Sequence, residues 1–235
     1  MNDVTVHIIV KNEEQWVWYA IASVIEYVGK ILIYDTGSTD QTIELIRLFD
    51  SKKIILRQCG DTTSENLTKL RNQQIEETRT KWFMLLDGDE VWPKKTMEEF
   101  KAKISNSQEK TTGIVVPSVV PVGNLFHYQP EKAGKYQLLG KIGHMNLRGY
   151  RKSRRYYWKG AFPLEAYVDK DQIPIQDKPQ ELVILNNSYW HLTHLMRSKM
   201  DTHSKRKLEI GEIRNEVLPE VFFGIRLKSW ATFFE

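Results

Sequence analysis

Between Val4 and Trp92 short apolar runs alternate with stretches of helical period, and no other feature restricts the fold as strongly. Val4–Val10, Ile31–Tyr34, Lys53–Arg57 and Trp82–Leu86 read as strands. Glu13–Val28 carries apolar residues at Trp16, Val17, Ala20, Ile21, Val24 and Val28, close to helical spacing. Gln41–Phe49 and a segment from Ser64 or Asn66 to about Thr78 supply two more helices. Parallel neighbours require crossover connections, so this alternation predicts an α/β fold with a mostly parallel sheet covered by helices on both faces. Ligands of such sheets sit at the carboxyl ends of the strands, which directs attention to the polar clusters there.

The sharpest cluster follows the fourth run. Trp82–Leu86 is continuously apolar, as a fully buried strand is, and it stops at Asp87-Gly88-Asp89-Glu90. If the extended geometry persists, Asp87 and Asp89 leave the same face, and Gly88 lets a phosphate or metal approach the backbone between them. Two converging hard oxygen donors suit Mg²⁺ or Mn²⁺ carrying phosphate oxygens. The competing reading is a polar turn that closes a strand, because Asp-Gly is a common turn dipeptide. After the first strand, Asn12 and Glu13 stand at a possible ligand contact, with Asn12 as a helix cap the alternative. After the second, Asp35 could accept from a ribose hydroxyl or a base N–H, while Thr39 or Asp40 caps the next helix. Arg71 reaches a diphosphate if its helix faces the cleft and is otherwise a solvated helix residue.

Beyond Asn106–Thr112 the pattern changes. Lys94–Ser105 is an amphipathic helix, but Gly113–Val122 is β-rich and interrupted by Pro117 and Pro121, which predicts an edge or bent strand. Met145–Tyr150 and Arg155–Trp158 read as a hairpin around Lys152-Ser153. Glu165 is a lone carboxylate among aromatic and apolar residues, a setting that suits proton transfer, or else an exposed strand residue. His191 and His194 follow the strand Leu182–Leu185 and bind a metal only if that segment is helical; such a pair is more often structural. Thr193–Arg214 reads as a basic helix. Val217–Glu235 is aromatic with central cations, as an interfacial or partner-docking segment is, with packing on the sheet as the default. No Gly/Ser linker divides the chain, so one domain is expected: residues 1–112 as one half, 113–195 as a mixed half, and 196–235 as a helical extension.

A formal charge of +4 is too mild to imply a nucleic-acid partner. The single cysteine, Cys59, excludes an intramolecular disulfide and a cysteine-rich zinc site. That points to a reducing, cytoplasmic setting, with peripheral contact at the inner membrane face as an expectation for the carboxyl-terminal segment. No positive leader and no long uninterrupted apolar window is seen.

Taken in order, Val10–Glu14, Tyr34–Thr42, Leu70–Gln74, Trp82–Glu90, Leu147–Arg151 and Tyr156–Glu165 resemble the motifs of family 2 glycosyltransferases with the GT-A fold. The resemblance is particularly to small bacterial members related to lipopolysaccharide core glucosyltransferases, over roughly residues 4–195. The resemblance implies that Asn12, Glu13 and Asp35 line a nucleoside pocket, that Arg71 approaches the nucleotide beside Gly88, and that Asp87 and Asp89 form a DXD metal motif. It implies a further metal or diphosphate contact from His191. The implied donor is a nucleoside-diphosphate sugar, UDP first, with a glycan or lipid-linked acceptor and Mn²⁺ or Mg²⁺ as cofactor. Glu165 falls where the family often has a His-Glu pair whose Glu is the base, but Leu164 replaces the His. The expected reaction is a single inverting displacement with Glu165 as general base. A sugar nucleotidyltransferase would carry a Gly-rich signature where this chain has Lys11-Asn12-Glu13-Glu14, and a noncatalytic sugar-nucleotide or glycan-binding module would need neither the acidic pair nor a base.

Overall fold

A computed structural model describes residues 3–199, 212–213 and 218–222. The amino-terminal half follows the expected alternation. Strands β1 (Val4–Val10), β2 (Lys30–Asp35), β3 (Ile54–Gln58) and β4 (Trp82–Leu85) are separated by helices α1 (Val17–Val24), α2 (Thr42–Arg47) and α3 (Ser64–Glu77). β1 pairs in parallel with β2 on one side and β4 on the other, and β2 pairs in parallel with β3. β1 and β4 are apolar along almost their whole length because both sheet faces are covered. Helix α1 is shorter than the periodicity predicts. Residues 13–16 form a turn in which Trp16 and Val17 N–H both donate to the Glu13 carbonyl, and this turn brings Glu13 back under the strand ends.

The remaining elements are β5 (Glu90–Val91), α4 (Lys94–Ser105), β6 (Gly113–Val119), β7 (Pro121–Val122), β8 (Asn124–Tyr128), β9 (Tyr136–Leu138), β10 (Lys141–Gly143), β11 (Met145–Arg151), β12 (Tyr157–Lys159), β13 (Ala166–Val168), β14 (Leu182–Ile184), β15 (Tyr189–His191) and β16 (Glu212–Ile213). The main sheet runs β3-β2-β1-β4-β11-β6-β15-β5, with β14 also on β6. Beyond β4 it is mixed, since β11 runs against both β4 and β6 whereas β14 and β15 run parallel to β6.

Three expectations need correction. The Gly113–Val122 run is bent, as one of the two alternatives had it, breaking into β6 and then β7 at the end of a second sheet, but β6 itself is not an edge: it has β11 on one side and β14 and β15 on the other. Ser118 N–H donates to His144 O on the β11 side, so alternation points the missing Pro117 N–H the other way. There, pairing with β14 ends at Val115 and pairing with β15 begins at Ser118, so no ladder bond is lost. The expected hairpin around Lys152-Ser153 is also absent. β11 pairs with β4, placing Gly149 opposite Met84 and Tyr150 opposite Phe83, while β12 pairs with β13 across the turn that holds Glu165. Finally, Thr193–Lys199 is not helical. The rest of that expected helix falls mostly outside the described residues, as do Phe223, Arg226, Lys228, Trp230 and Phe233 of the expected docking segment. Phe222, which is described, packs on Tyr19 and Trp190 with ring centroids 5.2 and 6.3 Å away. Among the described residues no helix is long and apolar enough to cross a membrane.

Candidate functional site

Strand order reverses between β1 and β4: the chain steps outward from β1 through β2 to β3, then returns to the opposite side of β1. The loops after β1 and β4 therefore diverge and leave a crevice. A cleft of about 670 Å³ lies there, lined by Lys11, Asn12, Glu13, Leu67, Arg71, Asp87, Gly88, Asp89, Phe162, His191 and Arg197 among others. Leu67 and Arg71 reach it from one face of α3, being four residues apart.

The expected acidic motif arrives, in altered geometry. The extended backbone ends at Leu85, and residues 87–90 form a turn closed by Glu90 N–H donating to Asp87 O at 3.1 Å. Asp87 keeps 40% of its side chain exposed, whereas Asp89 is buried with Oδ1 3.6 Å from His191 Nε2. Gly88 is required by close approach: a Cβ there would stand 2.8 Å from Glu13 Cγ. Arg148 of β11 donates from Nη2 to Asp87 Oδ2 at 2.8 Å and to Glu90 Oε1. Burial pushes the Glu90 carboxyl up to about 8 against the pull of Arg148. Burial also opposes ionisation of Asp87, but Arg148, Arg71 and His191 outweigh it and hold this carboxyl below its ordinary range.

The first loop is tied inward. Asn12 adopts φ 54°, a conformation Asn tolerates, and is not a helix cap. Its Oδ1 accepts from Thr39 N–H at 2.8 Å, linking the loops after β1 and β2. Glu13 N–H donates to Thr42 Oγ1, and Arg197 Nη1 donates to Glu13 Oε1, both at 2.8 Å. Burial, then the neighbouring Asp89, raises the Glu13 carboxyl well above its usual range despite Arg197. Its Oε2 is buried without a partner among the described residues, so it is open to a donor from the cleft. Asp35 is 1% exposed and takes Gly37 and Ser38 N–H on its carboxylate, so it orders its own loop and does not line the cleft. Asp40, not Thr39, accepts from Thr42 N–H at the start of α2.

Arg71 Nε donates to Glu165 Oε1 at 3.1 Å, and its guanidinium lies over Trp158. Glu165 is therefore neither an exposed strand residue nor distant from the site. It is buried beside a cleft cation, and its Oε2 has no partner among the described residues. The histidines part company. His191 faces the acidic turn, whereas His194 Nε2 lies 3.2 Å from the Gln129 amide, because the segment after β15 is not helical.

Three residues were given no role from sequence: Glu90, Arg148 and Arg197. Each meets its partner only through the fold. One oxygen or nitrogen of Asp87, Glu90 and His191 lies within 4.8 Å of the others. The carboxylates suit Mn²⁺ or Mg²⁺, whereas an imidazole ligand matches a transition metal better than Mg²⁺. Glu90 of that cluster is fully buried and bonded by Arg148, whereas Asp87, Asp89 and His191 line the cleft.

The sequence profile of Glycosyl transferase family 2 matches residues 5–173, more than half of the chain. A search of curated protein sequences finds no match. Among solved structures, S. aureus TarS 1-349 is similar at 17% identity and a TM-score of 0.54, over 82% of this chain and 61% of that one. TarS 1-349 in complex with UDP gives 16% identity, a TM-score of 0.58 and coverage of 82% and 60%. Its complex with UDP-GlcNAc gives 16%, 0.57, and 82% and 58%. The chain thus spans about three fifths of the TarS 1-349 structures, and at such identity the likeness shows the fold.

Proposed function

The chain belongs to glycosyl transferase family 2 and has its GT-A fold, and from that premise we propose that it is a metal-dependent, inverting transferase using a UDP-sugar. The observation that carries this reading is that Asp87, Asp89 and His191 line the β1/β4 cleft together with Arg71. TarS, of the same fold, is known in complex with UDP and with UDP-GlcNAc. The order of motifs through Glu165, which resembles the lipopolysaccharide core glucosyltransferases, favours a hydroxyl of a glycan or lipid-linked molecule as acceptor.

In this reading Asn12 and Glu13 contact the nucleoside, and Arg71 approaches the diphosphate. Asp35 supports the pocket by holding the loop that Asn12 grips. Asp87, Asp89 and His191 would hold Mn²⁺ or Mg²⁺, which when bound neutralises charge on the departing diphosphate. The acceptor oxygen bonds to the anomeric carbon as the carbon–oxygen bond to the diphosphate breaks, and that electron pair leaves on UDP. The hydroxyl proton passes to Glu165, whose unpartnered Oε2 is the atom suited to take it. One such displacement inverts the anomeric centre.

The test is a screen of nucleotide sugars with Mn²⁺, measuring released nucleoside diphosphate with and without glycan acceptors. Acceptor-stimulated release from a UDP-sugar, with inverted product, is expected. Binding of nucleotide sugars without release in any combination would favour a noncatalytic module.

A further inference from the structure

Arg148 does not line the cleft, yet it holds the residues that do. It lies on β11 next to Gly149, which is opposite Met84 of β4, so its side chain runs along the end of β4 to the acidic turn. The residue is 8% exposed, and a single nitrogen, Nη2, donates both to Asp87 Oδ2 at 2.8 Å and to Glu90 Oε1. Two packed groups restrict where the guanidinium can go. Tyr189 lies under it with its ring centroid 5.7 Å away, and that ring is itself fixed by stacking on Trp92 at 5.1 Å and by the Asn146 amide donating to its hydroxyl at 2.6 Å. Glu90 is 0% exposed, so Arg148 bridges a fully buried carboxyl group and a part-exposed one.

We propose that Arg148 is a positioning residue for the divalent-cation site, with Glu90 as its anchor: by fixing one oxygen of Asp87 it aims the other into the cleft. This rests on the metal-dependent reading above. Residues that orient a metal ligand from behind commonly change affinity by about 10–100-fold when removed. The alternative is that Arg148 only balances charge. The two differ in sign, because removing a nearby cation without loss of geometry should tighten binding of another cation.

The experiment compares Mn²⁺ binding to the full chain, by electron paramagnetic resonance with and without UDP, in the parent, Glu90→Gln, and Glu90→Gln with Arg148→Met. The single variant allows for any direct loss from Glu90, and the double leaves no buried charge of that pair uncompensated. Adding Arg148→Met to Glu90→Gln should weaken Mn²⁺ binding by about tenfold or more, with the thermal transition retained. Unchanged or tighter binding in the folded double variant would overturn the proposal. If the double variant does not fold, Arg148→Lys decides: it keeps the charge but loses the planar fork, so weaker Mn²⁺ binding supports positioning and unchanged binding refutes it. A parent that binds no Mn²⁺ under either condition would instead remove the metal-dependent reading, and this inference with it.

Discussion

His7 makes a pH-dependent contribution to stability whose size follows from its surroundings. It lies in β1, stacked on Phe83 with centroids 4.6 Å apart, and is 1% exposed. The Thr78 hydroxyl donates to Gln74 O at 2.7 Å, so at the 2.6 Å contact between Thr78 Oγ1 and His7 Nε2 the ring must donate. The proton therefore sits on Nε2, and Nδ1 is buried without a partner among the described residues. A second proton would put an imidazolium N–H where nothing accepts it. Burial, with Arg71 and Lys152 nearby, lowers the pKa from 6.5 to about 3. Between those values the unfolded chain binds the proton and the folded chain does not, so stability is intact above pH 6.5 and falls as pH drops through the window. At pH 5 the loss is about 2 kcal/mol. His7→Phe keeps the stack and cannot titrate. Urea unfolding of both proteins at pH 7 and pH 5 should show the parent losing about 2 kcal/mol more than the variant across that interval. Equal losses would refute the reasoning, because the remaining titrating groups are common to both.

Asp87→Asn or Asp89→Asn should nearly abolish turnover in a folded protein, and chelation should do the same to the parent; full turnover in EDTA would sink the metal assignment. Glu165→Gln should lower transfer by about 10²-fold or more while UDP affinity, measured by calorimetry, stays near that of the parent. Loss of both together would mark Glu165 as structural through Arg71, and undiminished transfer would pass the base role to Asp169 or Asp171. Gly88→Ala drives a methyl into Glu13, so stability should fall by about 1–3 kcal/mol in denaturant and UDP should bind more weakly. A variant with parental stability and UDP affinity would show that the approach of Gly88 to Glu13 is not a constraint.

The parallel half was legible because its signals are local: continuous apolar runs mark β1, β2 and β4, and each helix that follows carries its own period. The Asp87-Gly88-Asp89 turn was legible for the same reason, since an apolar strand that ends in carboxylates marks where buried sheet meets solvent. What was missed depends on distant partners. Pro117 looked like an edge marker, and only the gap between β14 and β15 makes it harmless in the interior. Met145–Arg151 looked ready to pair with the next run, but β4 and β6 were already waiting for it. Arg148 and Arg197 carried no local sign of the acids they meet, being ordinary members of basic clusters until the sheet closes.

The pairing of Glu13 with Arg197 spans 184 positions, and that of Asp87 with Arg148 spans 61. Read as an order of events in synthesis, these separations put the acids first. When the four parallel strands have emerged, Glu13, Asp87 and Glu90 already lie at their ends with Arg71 nearby, but Arg148 and Arg197, which bond to them, have not been made. Burying such carboxylates without those arginines is unfavourable, so their burial is expected to await β11 and then the segment after β15. Completion of the site is thereby coupled to completion of the sheet. A ribosome-bound chain halted before residue 148 would contain Glu13, Asp87 and Asp89 of the cleft lining and still lack Arg148, Glu165 and Arg197, so a settled pocket is not expected of it.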